Sequence, residues 1–455
     1  MIIDRSPTID APTLDPCAYM DPVLRVLDSV LDDDALFCRV KADFSRRRPH
    51  SPCRGRPSTP VEVILRMLVL RRLYDWSYEQ TEHLVGDSLS LRHFCRIRTA
   101  TVPDDTTLLR WANCLRPETL TAVCARVVAL AVERGVTHGR KLRVDGTVVA
   151  TTIHPPSDSR LLADGARMMG RLLHQARDLV GDRHAPCLFR SFARSAKRLA
   201  RVITRAAQRG VSGREDREMV YRRLLQITTL VCHHAHQVRA CLPDAGDAGR
   251  RLADRIDRLL PRLEQVVTQT QRRVIEGTPV PATEKIVSLT EPHSAILVRD
   301  AGHQTEFGHR VILGESEGGI ITSYAVLPGT ESEAEQLPAI LAQHAVQTGC
   351  RPYLLTADRG FYAPGQREWL SRTGIQRVVI PVQGGRRPAH EHTRWFRRGQ
   401  RFRVGIEGRI SVSKRNGWLG RCRDHGKDGF DRWISWGILS NNLVALTRHD
   451  LHPTA

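Results

Sequence analysis

The sequence predicts a mixed α/β domain that carries an all-α N-terminal segment and is interrupted by a long helical insertion after its first strand. Three observations predict it. Short helical patterns separated by turn signals run through the first third of the chain. At residues 141–150 the stretch KLRVDGTVVA changes to β-branched residues. Short strand patterns return only from 295, after an Arg-rich helical stretch over about 160–276.

The elements follow in chain order. Residues 1–20 read as a flexible lead-in. Asp21-Pro22 reads as an N-cap with Pro at the first helical position, followed by Val23, Val26, Leu27, Val30 and Leu31 at helical spacing. Asp32-Asp33-Asp34 interrupts that helix or lies on its wet side. Residues 46–58 form a basic, Pro-rich linker. Thr59 and Glu62 suggest a capping box, with Ile64, Leu65, Leu68 and Val69 as the buried stripe behind it. Ser77 and Gln80 suggest a second box, opening a helix that stops near Gly86. A short piece follows at Leu89–Phe94, and then a helix capped by Asp105 that carries Leu108, Leu109 and Trp111. Such a run of short helices suits either a helix-turn-helix DNA-binding unit or a plain packing domain.

After the 141–150 strand, Leu252, Ile256, Leu259, Leu263, Val266 and Val267 mark an amphipathic stripe in the insertion, with Pro261 as an expected kink. Later strands are expected at 295–298, 310–313, 320–327, 353–357 and 377–380, with helices near 333–346 and 363–373. One sheet joining the first strand to the later ones is the simplest topology. The expected divisions are 1–45, 46–137, 138–160, an insertion over 161–280, and 281–455.

The chain has 455 residues and a formal charge of +20, mostly from arginine. A field of that sign draws polyanions, of which nucleic acid is the commonest, although a basic solvated surface has the same composition. No apolar run is long enough for a bilayer and the N-terminus lacks a signal-peptide pattern, so a cytoplasmic protein without membrane contact is expected. Eleven cysteines without CxxC pairs fit reduced thiols.

Three acids carry the candidate chemistry. Asp145 sits within the strand LRVDGT, where a carboxylate needs a partner or a task. Asp358 ends the apolar run YLLTAD, at the carboxyl end of a strand, where open α/β sheets place their sites. A salt bridge for Asp145 and a helix cap for Asp358 are the plain alternatives. Residues 403–417 read as a helix stopped by Asn416-Gly417. Arg403, Glu407 and Lys414 share one face of it, as in a metal and phosphate site or in a surface salt-bridge ladder. Three such carboxylates can hold two divalent cations for in-line phosphoryl transfer, with Mg²⁺ preferred and Mn²⁺ as a substitute.

These segments resemble the DDE transposases of bacterial insertion sequences, which have an RNase H-like catalytic domain, and the ISNCY group in particular. GRPSTPVEVILRMLVLRRLYDWSYEQ (55–80) resembles the helical domain that precedes the core. VDGTVVATTIHPPSDSRLLADGAR (144–167) resembles the segment of the first aspartate, which falls on Asp145. SLTEP (288–292) and EFGHRVIL (306–313) resemble the segments that resume the core after an insertion. TADRGFY (356–362) and IEGRISVSKRNGWLGRCR (406–423) resemble those of the second aspartate and the glutamate, placing them at Asp358 and Glu407. The Arg-x3-Glu-x6-Lys signature falls on Arg403, Glu407 and Lys414, but Gln400 stands where the family often has tyrosine.

The resemblance implies metal-dependent nicking of double-stranded DNA at the terminal inverted repeats. Attack of the freed 3′-hydroxyl on target DNA would follow, by a homodimer or higher assembly. A nuclease without strand transfer and a catalytically inactive DNA-binding descendant are the alternatives.

Among secondary signals, Arg359, Arg415 and Arg421, with Trp418 as a stacking face, are candidate DNA contacts beside Arg403 and Lys414. A solvated basic face with the aromatics in the core is the other reading. His154 is a possible auxiliary to the acids or an ordinary loop histidine. Cys232, His233, His234, His236 and Cys241 fit no zinc spacing and read as packing residues, as Trp433 and Trp436 do.

Overall fold

The computed structural model describes residues 20–46, 59–97, 100–181, 185–208, 214–298, 305–329, 331–384 and 388–452. The lead-in and most of the basic linker lie outside the described residues. The chain forms two units. The first comprises Met1–Val149, Arg310–Leu327 and Glu331–Ala455, and the second Ala150–His309 with Pro328–Thr330.

The first unit begins with seven helices: α1 (Pro22–Leu31), α2 (Asp34–Arg46), α3 (Val61–Leu73), α4 (Tyr78–Asp87), α5 (Leu89–Phe94), α6 (Asp105–Ala112) and α7 (Pro117–Glu133). Asp21 caps α1 as expected, its carboxylate accepting from the Val23 amide at 2.7 Å. Ser77 and Gln80 form the reciprocal capping box of α4.

Three local expectations are corrected. Pro60 is the N-cap of α3 and makes no side-chain cap bond, so the Thr59–Glu62 box does not form. Glu62 instead takes Arg66 at 3.0 Å and Arg96 at 3.2 Å, and a carboxylate held by two guanidinium groups has little to gain from a cap. Nor is α3 one-sided: every residue from Val63 to Leu73 is buried, including Arg66, which Asp28 and Asp32 neutralise. Asp104, not Asp105, caps α6, and Leu109 is 42% exposed.

The aspartate run between α1 and α2 does separate two helices. It is engaged rather than merely wet, since Asp33 holds Arg126 at 2.8 Å.

The sheet of this unit follows. β1 (Lys141–Ala150) pairs in parallel with β5 (Leu354–Ala357), and β5 pairs in parallel with β6 (Arg377–Val379). On the other side of β1 lies β3 (Glu306–Glu315), whose second half pairs antiparallel with β4 (Ile321–Leu327). The first strand and the later strands thus share one sheet, as the pattern predicts. Helices α12 (Glu333–Thr348), α13 (Gln366–Arg372), α14 (Arg394–Arg415) and α15 (Gly426–Leu451) complete the unit. α15 is buried on nearly all sides, and its Asn442 side chain pairs with both the N–H and the C=O of Ile321 at 2.8 Å. That closes the backbone hydrogen bonds of the first β4 residue.

The second unit is a helical assembly of α8 (Asp158–Val180), α9 (Ala193–Gln208), α10 (Arg214–Cys241) and α11 (Gly246–Thr270) around one apolar core. Leu252, Ile256, Leu259, Leu263 and Val266 face that core, and α11 runs through Pro261. A short strand, β2 (Ala295–Leu297), pairs antiparallel with the first residues of β3. Cys232 and His234 are buried, whereas His236 is exposed and bonds Glu264 at 2.7 Å, so the Cys/His run points around its helix.

Candidate active site

Two aspartates meet because their strands are neighbours. β1 and β5 run in parallel, with Val144 opposite Ala357, so the residues that follow, Asp145 and Asp358, come off the same end of the pair. Each carboxylate is pinned to its own backbone. Asp145 accepts from the Gly146 amide at 2.8 Å, and Asp358 from the Gly360 amide at 2.8 Å.

The pair is electrostatically strained. Burial is the largest cause raising the Asp145 pKa to about 6, and the negative charges of Asp358 and Glu333 add to it. The Gly146 amide and Arg403 act in the opposite direction.

Glu333 is the carboxylate the sequence reading missed. It opens α12, and its oxygens lie where a Cβ on Gly146 or Gly360 would stand, 2.4 Å and 3.0 Å away respectively. The glycines beside the two aspartates thus leave room for a third acid. Arg310 reaches it at 3.3 Å. A glutamate in the first turn of a helix is ordinary dipole chemistry, so its position alone was uninformative. The Asp-Gly and Asp-Arg-Gly pairs were the available signal.

Glu407 is reached through Arg403. The Arg403 guanidinium bonds Glu407 at 2.7 Å and lies 3.8 Å from the Asp145 carboxylate. The Glu407 side chain is 53% exposed and that of Arg403 only 16%. α14 is fixed against the sheet by a buried cluster: Arg143 makes two bonds to Glu315 at 2.8 and 2.7 Å and one to the Phe402 carbonyl at 2.9 Å, and Arg409 adds a third to Glu315 at 3.1 Å. Gly405 permits this approach, because a Cβ there would lie 1.9 Å from the Arg143 guanidinium.

The remaining candidates divide. Arg359, Arg415 and Arg421 are exposed, and Lys414 is half-buried on α14. Trp418 is corrected: it is 3% exposed, and its indole N–H donates to the Leu73 carbonyl at 3.0 Å. A ring packed in the core has no free face for a base. Phe396, Trp433 and Trp436 are likewise core residues. His154 is exposed and belongs to the second unit.

Among the described residues no three His, Cys, Asp or Glu side chains gather tightly enough to hold a metal ion. What is preformed is a set of hard oxygen donors whose mutual repulsion a divalent cation would relieve, and the donor chemistry fits such an ion.

Acids at the end of the β1–β5 ladder beside a basic helix are compatible with a phosphoryl-transfer class of site. Family comparison supports that class: residues 14–114 match a transposase domain (DUF772), and residues 268–449 match the transposase DDE domain. The second match spans Glu333, Asp358 and Glu407, and Asp145 precedes it. No curated protein and no solved structure matches the chain.

The chain belongs to the DDE transposases of insertion sequences, metal-dependent polynucleotidyl transferases that act on DNA. An RNase H-like fold is what the DDE domain implies, and the mixed sheet with flanking helices is consistent with it. Among the described residues no helix is long and apolar enough to cross a membrane.

Proposed function

We propose that this transposase nicks DNA at the terminal repeats of its element and joins the freed 3′-hydroxyl to target DNA, with Asp145, Asp358 and Glu407 holding two Mg²⁺ ions, replaceable by Mn²⁺. The observation that carries the reading is the Asp145–Asp358 pair just past the end of the β1–β5 ladder, linked through Arg403 to Glu407.

When bound, the ions supply activation of the attacking oxygen and neutralisation of the leaving one. The rest falls to the chain itself. Asp145 and Asp358 fix the acidic floor through their amide bonds. Arg403 occupies the place between two carboxylates with a positive charge until it is needed at a phosphate. Arg359, Lys414, Arg415 and Arg421 supply further phosphate contacts around it. Glu333 belongs to the acidic set as a fourth carboxylate. The ISNCY-type motifs and the paired ends of an insertion sequence favour a homodimer or higher assembly on DNA.

The test uses a duplex carrying the terminal inverted repeat, a supercoiled target plasmid and Mg²⁺. Wild type yields a 3′-hydroxyl nick and joined products, and Asp358→Asn yields neither. Cleavage that persists in Asp358→Asn sinks the site assignment. Cleavage without joining, with both ends supplied, leaves only a nuclease.

A further inference from the structure

The second unit carries a groove of about 1560 Å³ that the catalytic reading does not use. Its walls come from α8, α9, the first turns of α10 and the residues that follow α11. Eight Lys and Arg side chains line it against three acids. Two of those cations are neutralised locally, Arg167 by Asp164 at 3.0 Å and Arg273 by Asp158. One of the acids, Glu218, is held by Arg222 at 2.7 Å. The other six cations, Arg160, Arg194, Lys197, Arg201, Arg205 and Arg217, form no ion pair among the described residues, and all but Arg217 are exposed.

Helix α9 explains the concentration of charge. Ala196, Ile203 and Ala206 turn inward. Arg194, Lys197, Arg201 and Arg205 fall three, seven and eleven residues along, which places them in one row on the groove side. Like charges one turn apart each cost a few tenths of a kcal/mol in a free helix, about 0.2–0.5. A row of four without acids between them is relieved by a polyanion. The row is about 16 Å long at 1.5 Å per residue, the span of about five phosphates on one strand of a duplex. The lining holds one phenol, Tyr221, which is only 7% exposed, and the one exposed ring of the lining is the small imidazole of His154, so no large aromatic face is offered to an unpaired base.

We infer that this groove is a second DNA-binding surface, which grips the sugar–phosphate backbone of duplex DNA without reading its sequence. The transposase reading enters only in the choice of duplex DNA among polyanions. Contacts of this kind position a nucleic acid and do not specify it.

The experiment compares full-length variants by fluorescence anisotropy on a random-sequence duplex in EDTA, across a salt series. The groove variant carries Arg194→Ala, Lys197→Ala, Arg201→Ala and Arg205→Ala. A control loses the same net charge at exposed arginines outside the groove: Arg171→Ala, Arg177→Ala, Arg251→Ala and Arg258→Ala. The groove variant is expected to bind at least about tenfold more weakly at physiological salt, with a log–log salt slope shallower by about 3 to 4. The control is expected to stay within about one slope unit of wild type.

A second variant, Arg194→Lys, Arg201→Lys and Arg205→Lys, keeps the charge and is expected to keep the slope, so loss through misfolding is recognised. Equal losses in both alanine variants, or no loss in either, overturn the proposal. So does a groove-dependent preference for RNA or for anionic lipid vesicles over duplex DNA. Cleavage of a terminal-repeat duplex is read separately. A groove variant that binds as wild type while cleavage persists refutes the groove alone. Absent cleavage with a groove-dependent slope refutes the transposition reading alone.

Discussion

Two carboxylates on adjacent strands, one buried and one half-buried, are kept in opposite ways. Glu315, at the end of β3, is fully buried and receives three charged hydrogen bonds, two from Arg143 and one from Arg409. Asp145, on β1, is 15% exposed, faces Asp358 and Glu333, and has its nearest cation at 3.8 Å. A buried charge is tolerated when its partners replace the lost water. Glu315 meets that condition within the fold. Asp145 does not, and its pKa rises accordingly. The compensated acid holds the helix that carries Arg403 and Glu407, and the uncompensated one is the carboxylate that the proposed function gives to an ion.

Breaking the uncompensated site gives the largest effect. Asp358→Asn preserves shape and removes one charge from the proposed metal site. Strand transfer is expected to fall by about 10³-fold or more, about 4 kcal/mol of barrier, with the melting curve intact. A residual rate within tenfold of wild type removes Asp358 from the chemistry.

Breaking the compensated site comes next. Glu315→Ala leaves Arg143 and Arg409, 15% and 20% exposed, without their acid, and partial solvation holds the cost to about 2 kcal/mol of stability, below the roughly 3–5 kcal/mol of a fully buried pair. Urea unfolding measures it, and a loss under about 1 kcal/mol means the cluster is not the anchor described.

The comparison also bears on what could be read in the sequence. The pairing of Asp145 with Asp358 was legible because an acid within one apolar strand and another at the end of a second are locally anomalous. The Arg403–Glu407 ion pair was legible through their spacing on one helix face. Glu333 was not, because its neighbours in space, Gly146 and Gly360, are far from it in the chain, and a glutamate in a first helical turn looks unremarkable.

Two helices lie outside the expected elements. α7 and α15 were not anticipated; α15 is buried on nearly all sides, so no 3.6-residue alternation marks it. Trp418 was misjudged because basic residues surround it in sequence while Leu73 accepts its indole N–H in space. The strands from 295 onward were read within a few residues, since β-branched runs announce themselves locally.

A smaller effect has the opposite sign. In metal-free protein, Asp145→Asn is expected to stabilise the fold at pH 8. The folded pKa of about 6 lies above the unfolded 3.8, so the folded state holds the proton more tightly. The penalty is absent below about pH 4, grows through the interval and is complete above about pH 6. Its size is on the order of 1–3 kcal/mol. Denaturant unfolding of wild type and variant at pH 4 and pH 8 reads the difference directly. Equal stabilities at pH 8 mean that Asp145 is already compensated. Adding Mg²⁺ is expected to raise the wild-type midpoint and leave that of Asp145→Asn nearly unchanged.

The finest test concerns Glu333, which sits between the two regimes: it adds to the repulsion at Asp145, yet Arg310 partly neutralises it. Glu333→Gln keeps the volume between Gly146 and Gly360 and deletes the charge. If the carboxylate serves the ion, Mn²⁺ affinity followed by electron paramagnetic resonance falls about tenfold, as for supporting ligands generally. Cleavage then recovers when Mn²⁺ is raised to saturation, which separates a binding role from a chemical one. Arg310→Gln provides the counterpart, since it frees Glu333 from its ion pair and is expected to tighten Mn²⁺ modestly. Unchanged Mn²⁺ affinity in both variants assigns Glu333 to Arg310 alone and returns the acidic set to Asp145, Asp358 and Glu407.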